Sequence, residues 1–151
     1  MDTGLNAAKV EIRRAVTRDA AAIARLAGEL GYPSTPEQVR DRLAAIERDL
    51  YHATFVAAVP GNEVIGWIHM CHVRLLASEP RAEIVNLVVD SRSRSAGTGL
   101  LLVERGEEWA REQGLTVIGV RSNIVRERAH AFYLRLGYTV AKSQKVFRKT
   151  L

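Results

Sequence analysis

Arg94, Gly97 and Gly99 stand in the spacing R-x-x-G-x-G, between an apolar run that stops at Asp90 and a long helical pattern. A helix start exposes backbone N–H groups that have no intrahelical partner, and it carries partial positive charge. Glycines, lacking a Cβ, let such a backbone approach a ligand closely, and Arg94 adds a full charge. The seam suits a phosphate or a diphosphate. It suits a plain tight turn from strand to helix equally well. It is not a nucleoside-triphosphate loop, because no Gly-Lys-Ser/Thr follows, and its glycines do not fall on the dinucleotide fingerprint.

The elements that must position this seam follow from periodicity. Residues 10–16 alternate as a first strand, and Thr17 and Asp19 signal the start of a helix that Gly31 ends. A second helix follows, with Thr35 as its cap, Pro36 in its first turn and Glu37 at its positive end. "YHATFVAAV" and "EVIGWIHMCHVRLL" read as strands joined by the turn Pro60-Gly61-Asn62. Residues 81–90 form a largely apolar, central strand. After the seam comes a helix to about Gln113, with Leu102, Val103, Gly106, Trp109, Ala110 and Gln113 on one face. Residues 115–121 read as a strand and "ERAHAFYLRL" as a short helix stopped by Gly137; "YTVAKSQKVFRKTL" supplies one or two closing strands. Early hairpins and a late crossover imply an α/β fold, a mixed sheet with helices on both faces.

The chain has 151 residues, enough for one domain with a real core. A flexible tail over 1–9 and a single domain over 10–151 are expected. The net charge of +5 suits an anionic partner. Its basic residues are spread out, with no dense run and no aromatic interleaving, so nucleic acid is not the expected partner. No apolar run approaches the roughly 18 residues that span a bilayer. The N-terminus lacks the order of a signal peptide, and the single cysteine, Cys71, cannot form an internal disulfide. No membrane partner is expected, and a cytoplasmic location is.

The strand, the seam, the helix and the later "SNIVRERAHAFYLRLGY" occur in an order that resembles the GNAT superfamily of acetyl-CoA-dependent N-acetyltransferases. Arg94-Ser95-Ala96-Gly97-Thr98-Gly99 matches that family's Q/R-x-x-G-x-G/A loop; Ser95 stands where many relatives have glycine, and it still offers a backbone N–H. Asn123, Phe132, Tyr133, Leu136, Gly137 and Tyr138 match the later segment. The resemblance implies a GNAT-like three-layer fold with a mixed, mostly antiparallel central sheet. It implies that Leu87, Val88 and Val89 pair through their backbone with the pantetheine arm of acetyl-CoA. It also implies that the amides of Arg94, Ser95, Ala96, Gly97, Thr98, Gly99 and Leu100 hold the pyrophosphate, with Asn123 contacting the coenzyme or holding two strands apart. Asn123 also reads as a cap for the next helix.

Acetyl transfer needs a neutral amine. Deprotonating a lysine-like amine of pKa about 10.4 at pH 7 costs roughly 4.6 kcal/mol. By resemblance Glu83 is the candidate base and Tyr133 the candidate acid, close to the thioester sulfur. An ordinary phenol facing a thiolate of pKa near 8.5 transfers its proton uphill by about 2 kcal/mol, so Tyr133 is expected mainly to donate a hydrogen bond. The expected oxyanion donor is the N–H of Val89 or Val88. His130 reads as a surface histidine. In "HMCH", His69 and Cys71 face one way and His72 the other, so no metal site is expected, and Trp67 and Cys71 read as packing residues. The implied activity is direct transfer of acetyl to a primary amine, on a small molecule or a peptide, by a monomer or homodimer. The rival reading is a non-catalytic acyl-CoA binder.

Overall fold

The computed structural model describes residues 9–94 and 97–151. The expected tail therefore lies outside the described residues, except for Lys9. One compact unit ends at Arg121, and a second runs Ser122–Leu151.

The first unit is built on a five-stranded sheet in the order β1-β2-β3-β4-β5. Its strands are β1 (Glu11–Arg14), β2 (His52–Val59), β3 (Glu63–Val73), β4 (Arg81–Val89) and β5 (Ile118–Val120). The first four pair antiparallel in succession, and β5 pairs parallel to β4. Helices α1 (Ala20–Glu29) and α2 (Pro36–Glu47) precede β2, and α3 (Thr98–Glu112) links β4 to β5. The second unit contains α4 (Glu127–Arg135).

Local chemistry explains most boundaries. Thr35 and Gln38 form a reciprocal capping box at α2: the Thr35 Oγ1 accepts from the Gln38 N–H at 3.1 Å, and the Gln38 Oε1 accepts from the Thr35 N–H at 3.0 Å. The β2–β3 turn places Gly61 and Asn62 at φ 86° and 63°, the left-handed conformation this turn demands. Strand β1 is shorter than expected because Asp19 acts on the chain before it, not as a side-chain cap of α1. Its carboxylate accepts from the Val16 N–H at 2.8 Å and takes both nitrogens of Arg13 at 2.8 and 2.9 Å. A single 3-10 turn over Thr17–Asp19 results.

Each face of the sheet carries helices. Ile23, Leu26 and Leu43 of α1 and α2 cluster with Val56, Trp67 and Val88. On the other face α3 lies against Gly66, Ile68 and Met70: a Cβ on Gly106 would sit 2.7 Å from the Met70 Sδ, and one on Gly66 would sit 3.1 Å from Leu102. Leu102 and Trp109 are fully buried, each contributing about 2–3 kcal/mol by leaving water. This is the three-layer, mixed, mostly antiparallel arrangement expected.

The closing strands do not form. Residues 139–151 carry no regular secondary structure and are exposed throughout. The polar stretch Lys142-Ser143-Gln144-Lys145 interrupts the apolar alternation that would give a strand a buried face. Strand β5 also falls short of 115–121, covering only Ile118–Val120.

Candidate active site

The sheet opens at β4. Its inner edge pairs with β3 along its length, but its other edge pairs with β5 only at Ala82↔Ile118, Glu83↔Gly119 and Ile84↔Val120. Among the described residues, 85–89 have no ladder partner on that side. A bulge marks the point of departure: His69 faces Asn86 and Met70 faces Ile84, so Val85 is the extra residue. Leu87, Val88 and Val89, named from sequence for the pantetheine arm, all lie on this unpaired stretch. The Val88 side chain is buried in the core beside Trp67, which fixes the strand.

Asp90 then ends the strand. Its side chain is 2% exposed. Its Oδ1 accepts from the backbone N–H of Arg92 at 3.0 Å and from the Nε at 3.2 Å, and its Oδ2 accepts from the Nη2 of Arg92 at 2.8 Å. Arg25 of α1 stands 3.7 Å away. The hydrogen bonds from Arg92 hold the Asp90 carboxyl down at about 2. The Asp90 N–H donates to the Ile65 carbonyl at 2.8 Å. Both ends of this residue are therefore tied, and the chain leaves the sheet in a fixed direction.

Arg94 is exposed and extended. Ser95 and Ala96 lie outside the described residues. Gly97 is the N-cap of α3 in the left-handed conformation, φ 82°. The first intrahelical bond runs from the Leu101 N–H to the Gly97 carbonyl at 3.1 Å, so the N–H groups of Thr98, Gly99 and Leu100 precede the helical ladder. The Thr98 side chain packs on the sheet near Gly66, and its buried hydroxyl has no partner among the described residues. Amides left open at a helix N-terminus suit an anion.

Glu83 lies in a polar row on the α1/α2 face. Its carboxylate is paired with the Arg121 Nε at 3.1 Å and the Arg81 Nη2 at 3.8 Å, and its side chain is 17% exposed. Across the strands it aligns with Cys71 and then with His52. The His52 Nε2 is 3.7 Å from the Cys71 Sγ and 3.8 Å from Asp49, and its Nδ1 is 2.9 Å from the His69 Nε2. Burial, with a smaller contribution from His52, pushes the His69 imidazole down to about 4, and burial pushes the Cys71 thiol up. Trp67 packs in the core as expected, but Cys71 is a member of this polar row. Among the described residues, no group of three or more His, Cys, Asp or Glu side chains is arranged to hold a metal.

The unit Ser122–Leu151 carries the remaining named residues. Asn123 closes a turn ahead of α4: its Oδ1 accepts from the Val125 N–H at 3.1 Å, and its carbonyl accepts from the Arg126 N–H at 2.9 Å. The His130 Nε2 lies 2.9 Å from the Asn123 carbonyl, an exposed contact across the start of α4. Tyr133 on α4 packs edge-on between Phe132 and Tyr138, with ring centroids at 5.1 and 5.5 Å. Burial pushes its phenol up to about 12.

Sequence reasoning missed Asp90, Arg121 and the histidine pair. Asp90 left a trace, an acidic residue ending an apolar run beside arginines. His52 left only an indirect one, Gly66 inside the β3 pattern, because counting back from the β2–β3 turn sets it opposite Met70. A bulge at Ile65 moves it opposite Cys71.

Residues 20–138 match the Acetyltransferase (GNAT) family. Aminoalkylphosphonate N-acetyltransferase of Salmonella typhimurium is 33% identical over 135 residues, 85% of this chain and 84% of that protein. The alignment with the uncharacterized N-acetyltransferase YhdJ of Bacillus subtilis is 36% identical over 67 residues and spans less than half of either protein, 44% of this chain and 46% of YhdJ. Among solved structures, the aminoglycoside N-acetyltransferase AAC(6')-Iy in complex with CoA superposes with a TM-score of 0.83 at 16% identity, covering 95% of this chain and 96% of that one. No helix among the described residues is long and apolar enough to cross a membrane. With its family motif, sheet and helix order all in place, the chain belongs to the Acetyltransferase (GNAT) family and is an acyltransferase.

Proposed function

We propose that the protein moves the acetyl group of acetyl-CoA directly onto a primary amine of a small molecule. The observation that carries this reading is the stretch of β4 beyond Ile84, which lacks a β5 partner and leads through Asp90 to the left-handed Gly97 and the open amides of α3. An extended pantetheine arm has a strand edge to lie along at Leu87–Val89. A diphosphate has Arg94 and the amides of Gly97, Thr98, Gly99 and Leu100 to bind, with Ser95 and Ala96 between them by the family motif. Acetyl-CoA, when bound, supplies the acetyl group as a thioester.

The acceptor's ammonium is assigned to Glu83, which attracts it by charge and takes its proton. Arg81 and Arg121 hold this carboxylate in place until the amine arrives. Asn123 serves as the fixed entry to α4. Tyr133, by its match to the family tyrosine, donates a hydrogen bond to the leaving sulfur. With its phenol at about 12 and the thiol near 8.5, complete proton transfer is uphill by about 5 kcal/mol, which makes this a hydrogen-bonding role. Two relatives are named for aminoalkylphosphonate and aminoglycoside acetylation, and these support a small-molecule acceptor over a peptide. A cytoplasmic monomer or homodimer, with no nucleic-acid or membrane partner, completes the reading.

The test is thiol release from acetyl-CoA against a panel containing an aminoalkylphosphonate, an aminoglycoside, a polyamine and a lysine peptide. Turnover with a small amine is expected. Tyr133→Phe should lower kcat by about tenfold or more while leaving coenzyme A affinity within about twofold. Coenzyme binding with no turnover on any amine would favour the non-catalytic binder instead.

A further inference from the structure

Between the Asp49 turn and Glu83, the α1/α2 face carries a polar row that the acetyl-transfer reading leaves unused. His52 and His69 are close enough for one hydrogen bond, at 2.9 Å between the His52 Nδ1 and the His69 Nε2. One ring must donate and the other accept, so the two cannot both be cations while the bond stands. His69 is the ring burial keeps neutral. His52, on the end of β2, keeps 29% of its side chain exposed, and its Nε2 faces Asp49 and Cys71.

We infer that His69 fixes His52 in the tautomer with a proton on Nδ1, and that His52 Nε2 is the outlet through which the proton taken by Glu83 leaves for solvent. This rests on the acetyl-transfer reading above. The acceptor's N–H bond breaks as the Glu83 O–H bond forms. A solvent water beside Cys71 takes the proton as that O–H breaks and gives up one of its own as the His52 Nε2–H bond forms, and bulk solvent takes the proton from His52. Glu83 returns to its carboxylate with no net change. Asp49, 3.8 Å from Nε2, favours the transient imidazolium. His69 is a positioning residue, acting only through its acceptor nitrogen.

The charged and titratable groups that face His52 come from several elements. They are Asp49 in the preceding turn, His69 and Cys71 on β3, and Glu83 on β4 with its partners Arg81 and Arg121. Arg14 of β1 and Glu47 of α2 line one small cavity with it. His72 turns away, to Gln113 at 3.1 Å.

Two measurements on the whole protein test this. Nitrogen-15 NMR of the imidazoles should show His52 protonated on Nδ1 and bare on Nε2 at pH 8.5, gaining its second proton on Nε2 as the pH falls. In His69→Leu the tautomer should become mixed, and in His69→Gln, which keeps an acceptor oxygen, it should be restored. In the acetylation of whichever panel amine turns over, His52→Gln should lower kcat/KM about tenfold at pH 6.5, and by less than about twofold at pH 9, where hydroxide takes over the task. His69→Leu should follow His52→Gln, and His69→Gln the wild type. A loss equal at every pH, or a His52 tautomer indifferent to His69, overturns the outlet. Wild-type protein that binds coenzyme A but acetylates no amine overturns the acetyl-transfer reading itself. That failure is visible before any histidine variant is made.

Discussion

Gly97 is where the coenzyme reading is most exposed to test. It holds φ 82° at the N-cap of α3, and a Cβ built on it meets nothing within 4 Å. Gly97→Ala therefore creates no collision, and its cost comes only from forcing an L-residue into the left-handed region, about 1–2 kcal/mol. For a chain of this size each kcal/mol moves Tm by about 2–4 °C, so Gly97→Ala should melt about 2–8 °C lower. A loop that escapes the strain by turning its peptide would mis-aim the amides of Thr98 and Gly99, and each kcal/mol withdrawn from coenzyme binding costs about fivefold in Kd. Asparagine tolerates this conformation better than alanine, so the order of stability and of coenzyme A affinity should be Gly, Asn, Ala. Differential scanning fluorimetry and isothermal titration calorimetry with coenzyme A read both. Alanine and glycine proteins with the same Tm and the same Kd would refute the reasoning, because the backbone at Gly97 would then be neither strained by a side chain nor part of the coenzyme's seat.

Asp90→Asn removes the charge that anchors Arg92 but keeps the shape, so KM for acetyl-CoA should rise several-fold with kcat little changed; steady-state kinetics decide it. Asp19→Ala strands Arg13 and the Val16 N–H and should cost about 1–3 kcal/mol in urea unfolding. Burial pushes the Asp19 carboxyl up, but its bonds to Arg13 and Val16 outweigh that and leave it below its ordinary value. Its contribution is therefore complete above the ordinary carboxylate pKa of about 4 and is lost as pH falls below that. His69 acts in the same direction at higher pH: it is held at about 4 in the folded protein against 6.5, so the unfolded chain takes up the proton first. Stability should fall by at most about 3 kcal/mol between pH 6.5 and 4, and His69→Gln should flatten that slope.

Local patterns were enough to place most of the fold. The capping residue Thr35, the Gly61-Asn62 turn and the apolar face of α3 are set by neighbours in sequence, and each formed where periodicity put it. The R-x-x-G-x-G seam was legible for the same reason, since a left-handed glycine before a helix is a local demand. Residues 139–151 misled because residual apolar alternation there suggested a strand; the sequence carries the propensity, but pairing requires a neighbouring edge and a face to bury.

The polar row belongs wholly to tertiary structure. Side chains alternate across a strand, so a single added residue reverses which face every later one meets. The bulge at Ile65 turns His52 toward Cys71, and the bulge at Val85 turns Glu83 toward the same row. Gly66 abuts the bulge at Ile65, but no glycine or proline flanks the bulge at Val85. By itself the sequence determined the kind of fold and the glycine turn that opens α3, because both are written in short-range periodicity and backbone conformation. Only the folded sheet decided which titratable side chains share a face with Glu83, because that choice turns on register between strands, which no residue specifies alone.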